Sequence, residues 1–201
     1  MMQDSGLMAY VAADRVACEL NGAPLATDGV ALIADISGFT PLTEGLAQVL
    51  APDRGAEELT RALNGVFAPL IDAAGAYGGH VIKFASDALI VFFPRRPSGR
   101  RATLLRSTVT AAHAMQAVIK RHGRITTPAG VFTLTMKIGM AYVPVLRIRL
   151  GDPTYGYEDV IGGATLDRMA AAEHHAQAGE VLLDLELVTL NGLVITEWRD
   201  R

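Results

Sequence analysis

The stretch Val30-Ala31-Leu32-Ile33-Ala34-Asp35-Ile36-Ser37-Gly38-Phe39-Thr40 decides the fold of this 201-residue chain. Its continuous apolar start predicts a strand buried in the middle of a sheet. The glycine turn that follows, with Pro41 after Thr40, predicts a helix that has Thr40 as N-cap and Pro41 as first residue. An aspartate at such a junction most often caps the helix. Beside helix amides that bind phosphate, Asp35 is also a candidate ligand for a cation that bridges phosphates.

A second acidic residue lies in a predicted β-hairpin. His80 to Ala85 and Ala88 to Phe93 read as strands joined by the two residues Ser86-Asp87. Aspartate is ordinary in such a turn. If the first strand lies beside this hairpin, however, Asp35 and Asp87 converge at one sheet edge, where paired carboxylates require a cation such as Mg²⁺.

The remaining elements predict an α+β fold. Its sheet is antiparallel or mixed and ferredoxin-like, with helices packed on one face. The predicted helices run from about 53 to 74, from 101 to 122 and from 164 to 176. Pro69 bends the first of these without breaking it, because Gly65 lies four residues earlier. Further strands are predicted at 132–142, 145–150, 180–183 and 193–198, with a short extended segment at 159–161 and a loop at 151–157.

The N-terminal part is predicted to be an appendage. A short helix at 6–20 and a turn-rich linker form a segment 1–29, and residues 30–201 form the main domain.

Composition excludes several classes of protein. The net charge is −3, and the arginines between Arg95 and Arg106 have no interleaved aromatics, so no nucleic-acid partner is expected. Cys18 is alone, which excludes an internal disulfide framework. No apolar run approaches the ~20 residues of a membrane span. We expect a cytoplasmic domain, and its 50% apolar content predicts a face that a partner covers.

The two aspartate motifs resemble those of class III adenylyl and guanylyl cyclases. They read Asp35-Ile36-Ser37-Gly38-Phe39-Thr40 and Gly78-Gly79-His80-Val81-Ile82-Lys83-Phe84-Ala85-Ser86-Asp87. The resemblance covers about residues 25–194. It is closest to the metal-bearing first domain of soluble-type adenylyl cyclases and their bacterial multidomain relatives. A diguanylate cyclase is disfavoured, because no Gly-Gly-Asp/Glu-Glu-Phe turn is present.

This resemblance implies conversion of ATP to cyclic AMP and pyrophosphate at the interface of two cyclase domains. Asp35, Asp87 and the Ile36 carbonyl would bind two Mg²⁺ or Mn²⁺ ions, which activate the ribose 3′-hydroxyl and bind the leaving pyrophosphate. The amides around Gly38, Phe39 and Thr40 would hold the triphosphate. The partner domain would form a homodimer or a pseudo-heterodimer with this one.

Two lysines have open roles. Lys137 matches a family position that contacts the triphosphate, and a plain surface lysine is an equally good interpretation. Lys83 matches a lysine that either reads adenine or faces a second, degenerate pocket, where some soluble-type members bind bicarbonate.

The chain also departs from the family on its last predicted helix. Members that complete a partner's site carry an Asn and, four residues later, an Arg there. Here Leu166 or Asp167 and Ala170 or Ala171 take those positions, and Arg168 is displaced. Two hypotheses follow: the metal-binding half of an adenylyl cyclase that needs a complementary domain, or a catalytically incomplete module that regulates downstream domains.

Overall fold

The computed structural model describes residues 28–184 except 97, 153 and 155, together with residues 15 and 187. The strands are β1 (Asp28–Ser37), β2 (His80–Ala85), β3 (Ala88–Pro94), β4 (Arg124–Thr127), β5 (Gly130–Thr133), β6 (Thr135–Pro144), β7 (Leu146–Asp152), β8 (Gly156–Gly162) and β9 (Val181–Leu183). The helices are α1 (Phe39–Val49), α2 (Pro52–Gly75), α3 (Arg101–His122) and α4 (Ala164–His175). The predicted helix at 6–20 and strand at 193–198 lie outside the described residues, and the division at residue 29/30 stays a prediction.

A five-stranded mixed sheet forms the centre of the fold, in the order β2-β3-β1-β6-β9. Strand β1 lies in the middle and is antiparallel to both β3 and β6, whereas β9 is parallel to β6. The register places Asp35 opposite Ala88 on one side and opposite Lys137 on the other. The predicted α+β class and mixed sheet are therefore confirmed, and the acidic end of β1 lies beside the β2–β3 turn.

Alternate residues of β1 face two different layers of helix. Val30, Leu32, Ala34 and Ile36 are fully buried in a core that includes residues of α2 and α3. Ala31 and Ile33 instead belong to a smaller cluster with Met169 of α4. The expectation that helices pack on one face holds for α2 and α3 but is wrong for α4. A strand that is apolar at every position has two faces to bury, and this pattern was the available sign of a second layer.

The strands after α3 differ most from the sequence prediction. The predicted strand at 132–142 is two strands, because the Leu134 amide donates to the Gly123 carbonyl between them (2.8 Å) and β5 pairs with β4 instead. The predicted loop at 151–157 is mostly strand: β7 and β8 form a hairpin that pairs as far as Asp152 and Gly156. The pattern of apolar residues does not change at these strand ends, so the sequence did not show where one strand stops and the next begins.

The backbone geometry shows where α1 begins, that α2 is continuous and where the β2–β3 turn lies. The N-cap of α1 is Gly38 and not Thr40, since Gly38 has φ +109° and the helix already begins at Phe39. Helix α2 continues through Pro69, and the β2–β3 turn consists of Ser86 and Asp87, as predicted.

Candidate active site

The two aspartate motifs meet at one end of the sheet. The Ile36 amide, directly after Asp35, donates a hydrogen bond to the Asp87 carbonyl (3.2 Å). Burial is the largest cause of the raised pKa of Asp35, and the negative charge of Asp87 adds to it. Since the backbone of one motif is hydrogen-bonded to the other, the predicted convergence of the two acids has a structural basis.

Asp35 lies in a region of concentrated negative charge. Burial raises the pKa of its carboxyl first, and the charges of Glu173 and Asp87 and a hydrogen bond with Glu173 raise it further. Lys137 opposes this shift without cancelling it. A raised carboxyl pKa with neighbouring carboxylates marks a site where a bound cation would be stabilised.

Lys137 reaches this acidic end from the neighbouring strand β6. Its Nζ lies 2.6 Å from Glu173 Oε1 and 3.8 Å from Asp35 Oδ2. The hydrogen bond with Glu173 raises the pKa of Lys137. The structure thus places Lys137 beside Asp35, and it identifies Glu173 as a site residue for which the sequence pattern carried no signal.

Close packing of α4 on β6 positions Glu173. A Cβ built on Gly139 would lie 2.3 Å from the Glu173 amide nitrogen and 2.5 Å from the Met169 carbonyl. Only glycine permits this approach of helix and strand backbones. Gly139 lies two residues after Lys137, so the approach brings Glu173 next to the Lys137 ammonium.

Two of the predicted phosphate-binding residues, Phe39 and Thr40, line a cavity. Gly38 precedes α1, and Phe39 and Thr40 are in its first turn, where amides lack partners within the helix. Phe39, Thr40 and Asp87 line a cavity of about 380 Å³ between α1, α2 and the β2–β3 turn; its other lining residues are Thr43, Glu44, Leu59, Leu63, Phe67 and Ser86. Three of the predicted site residues therefore share one cavity.

An aromatic cluster supports this cavity. The rings of Phe39 and Phe67 stack with centroids 6.0 Å apart, and Phe84 meets Phe67 edge-on at 5.7 Å. The rings join the start of α1, helix α2 and the end of β2, and both helices carry cavity residues. The sequence carried no signal that these three rings, from three separate elements, come into contact.

Lys83 is exposed on β2 opposite Ile90, next to a register shift between Val81 and Lys83. Ile90 belongs to the cluster on the α4 face of the sheet. Lys83 therefore shares a face with Lys137 and Asp35, at a position further along the sheet. This placement does not choose between its two predicted roles.

The residues at this end of the sheet fit a cation that is bound together with a nucleotide. Among the described residues, no group of three or more His, Cys, Asp or Glu side chains could hold a metal ion. Asp35, Asp87 and the Ile36 carbonyl supply a partial set of oxygen ligands. Mg²⁺ is typically held by one or two carboxylates and completed by substrate phosphates, which suits such a set.

Two residues of helix α4 near the expected Asn and Arg positions contact their own domain. Leu166, at one candidate Asn position, packs against its own sheet with the Ala31 and Phe92 clusters. Arg168 forms an ion pair with Asp184, just after β9. Its guanidinium is therefore held within its own domain.

No helix within the described residues has both the length and the apolar character that crossing a membrane requires.

Comparison with known proteins finds similar sequences among the adenylate cyclases. Adenylate cyclase type 10 of Homo sapiens is 32% identical over 158 residues, which make up 78% of this chain and 9% of that protein. The Mus musculus protein of the same name is 31% identical with the same coverage. The chain thus spans about a tenth of the length of these curated relatives. No family model matches the chain.

Solved structures share the fold. The adenylyl cyclase CyaB from P. aeruginosa is 26% identical with a TM-score of 0.62, and 81% of this chain aligns with 79% of that one. The guanylyl cyclase Cya2 is 23% identical with a TM-score of 0.65, and 82% of this chain aligns with 78% of that one.

Proposed function

Since the chain belongs to the class III nucleotidyl cyclase homology domains, we propose that it is the metal-binding half of an adenylyl cyclase that converts ATP to cyclic AMP and pyrophosphate. The observation that carries the proposal is the hydrogen bond from Ile36 to Asp87, which joins the two acidic motifs beside the phosphate-binding turn. A purely structural domain has no need for two acids at one sheet edge, where burial and then the neighbouring negative charges raise the pKa of Asp35.

Each site residue has a defined task in this proposal. Asp35, Asp87 and the Ile36 carbonyl hold two Mg²⁺ or Mn²⁺ ions, which lower the pKa of the ribose 3′-hydroxyl and neutralise the leaving pyrophosphate when bound. Amides at Gly38, Phe39 and Thr40 bind the triphosphate, since the start of a helix carries partial positive charge. Lys137 adds a positive charge at the same end of the sheet. Lys83 contacts the base or a second pocket.

ATP is the proposed substrate because the curated relatives are named adenylate cyclases. The solved structures that share the fold include both an adenylyl and a guanylyl cyclase, so the fold alone does not select the base. GTP is therefore the competing substrate in every assay below.

A second cyclase domain is the proposed partner. Leu146, Ile148 and Leu150 point the same way along β7 and are 59%, 41% and 52% exposed. Such an apolar stripe is typical of a surface that another protein covers. The partner also has to provide the Asn and Arg that α4 lacks. We propose a pseudo-heterodimer with a complementary domain over a homodimer, and a cytoplasmic location.

The test is turnover of Mn²⁺–ATP and Mg²⁺–ATP by the chain alone and mixed with a cyclase domain that carries the Asn/Arg pair. We expect cyclic AMP from the mixture and little from the chain alone, because loss of a group that stabilises transition-state charge costs about 10²–10³ in rate. In the mixture, Asp35→Asn and Asp87→Asn should each lower the rate by a similar factor.

The matched control is Asp72→Asn, which removes an exposed carboxylate from the end of α2. It should leave turnover within about twofold of the wild type, since exposed charges contribute little. Turnover that is equally insensitive to all three substitutions would refute the proposal.

A regulatory module is the second candidate function. The ion pair between Arg168 and Asp184 and the inward packing of Leu166 favour it, because they leave α4 without catalytic groups for a partner's site. This candidate predicts nucleotide binding, or none, with no cyclic AMP in any mixture. It also predicts that Asp35→Asn changes neither association nor signalling to downstream domains.

A further inference from the structure

The contact between Lys137 and Glu173 affects whether the Asp35 carboxylate is available to bind a cation. Lys137 and Asp35 lie directly opposite each other on β6 and β1. Opposite residues of antiparallel strands have Cβ atoms about 5 Å apart, so a lysine and an aspartate there are placed to form a direct ion pair. The Lys137 Nζ is within ion-pair distance of both carboxylates, but it lies much closer to Glu173 Oε1 (2.6 Å) than to Asp35 Oδ2 (3.8 Å).

The competition between these two carboxylates is set by packing. Glu173 is held by the backbone approach of α4 to β6 at Gly139, and its side chain is only 16% exposed. The Asp35 side chain is 24% exposed and is also influenced by the charge of Asp87. Among these groups Lys137 is the single cation, and its ammonium lies closer to Glu173 than to Asp35.

We propose that Glu173 is a positioning residue that holds the Lys137 ammonium away from the Asp35 carboxylate, so that Asp35 remains available to a divalent cation. The inference rests on the proposed function, in which Asp35 is a metal ligand. Without the Glu173 carboxylate, the Lys137 ammonium moves onto Asp35 and competes with the cation for the same oxygens.

The experiment measures Mn²⁺ affinity of the whole chain without nucleotide, by electron paramagnetic resonance of free Mn²⁺. Glu173→Gln should weaken binding about tenfold, a coupling of ordinary size for charged groups in contact. The control Glu57→Gln removes an exposed carboxylate on α2 and should change affinity less than about twofold. Melting temperatures of all variants are measured alongside.

The decisive variant is Glu173→Gln combined with Lys137→Met. Removing the ammonium should restore affinity to within about threefold of the wild type, because the competing cation is gone. A purely structural role of Glu173 would not be rescued in this way. Lys137→Met alone should bind Mn²⁺ at least as tightly as the wild type, because it removes a positive charge 3.8 Å from Asp35, and this measurement does not depend on how well Glu173 variants fold.

The outcomes separate this inference from the proposed function. If Asp35→Asn leaves Mn²⁺ binding unchanged, the proposed function fails, and this inference fails with it. If Asp35→Asn weakens binding but Glu173→Gln does not, only the inference is overturned. A double variant as weak as Glu173→Gln alone also overturns it, because Glu173 would then act through its own charge.

Discussion

Substituting alanine for Gly139 should separate α4 from the sheet. The added Cβ would lie 2.3 Å from the Glu173 amide nitrogen, 2.5 Å from the Met169 carbonyl oxygen and 2.7 Å from the Glu173 Cα. All three are backbone atoms, so no rotamer change relieves the clash, and helix and strand have to move apart by about 1 Å to reach ordinary contact. That shift weakens the packing of Met169 against Ala31 and Ala141 and breaks the contact of Glu173 with Lys137.

The expected cost follows from overpacking a close backbone contact. Such substitutions cost about 1–3 kcal/mol, and the loss of packing on this face puts Gly139→Ala at the upper end, near 3 kcal/mol. For a chain of this size each kcal/mol corresponds to about 2–4 °C, so the melting temperature should fall by about 6–12 °C. The assay is thermal unfolding followed by far-ultraviolet circular dichroism, checked by urea unfolding.

Gly75 offers a matched control for this change. It is the last residue of α2, and a Cβ built there meets nothing within 4 Å. Gly75→Ala should stabilise the chain by about 0.4–1 kcal/mol, because it reduces the freedom of the unfolded state without a clash. A Gly139→Ala protein that melts within about 2 °C of the wild type would show that the helix–strand approach is looser than the structure indicates.

Three further predictions concern the turn, the start of β1 and the exposed hairpin. Ser86 has φ +57°, a conformation that costs a non-glycine residue about 1–2 kcal/mol. Ser86→Gly should therefore raise the melting temperature by a few degrees. A melting temperature below that of the wild type would contradict this strain. Burial raises the pKa of Asp28, but the Tyr142 hydroxyl and Arg95 (Nε–Oδ2 2.6 Å) lower it below 3.8 overall. Asp28→Asn should therefore lower the free energy of unfolding by about 1 kcal/mol at neutral pH. When unfolding is measured at decreasing pH, the difference between the variant and the wild type should shrink as the pH falls from about 3.8 through the folded-state pKa of Asp28. A difference that shrinks as the pH rises would contradict this prediction. Ile148→Asp should leave the melting temperature within about 2 °C but prevent association with a complementary cyclase domain in sedimentation velocity, and undiminished association would place the interface elsewhere.

Much of the layout around Asp35 was predictable because its signals are local. An uninterrupted apolar run, a two-residue turn and a glycine-containing strand–helix junction each have a short-range physical meaning. The hairpin at Ser86-Asp87 and the central position of β1 agree with those signals. The N-cap was misplaced at Thr40, since a Thr-Pro pair resembles a capping signal while the backbone conformation of Gly38 decides the helix start.

The strands beyond α3 were harder to predict because their pairing is long-range. Whether Leu134 continues a strand or ends it depends on its hydrogen bond with Gly123. The hairpin of β7 and β8 extends over residues that read as a loop, because cross-strand pairing outweighs the weak strand preference of Gly151 and Asp152.

By itself, the sequence determined the acidic motifs around Asp35 and Asp87, the class of fold and the family, since these depend on residue type at short spacing. Only the tertiary structure decided that α4 covers the opposite face of the sheet and that the Lys137 ammonium lies within reach of both Glu173 and Asp35. The physical reason is the glycine at position 139: its missing side chain lets two backbones distant in sequence approach, and no local pattern shows what fills the space that a glycine leaves.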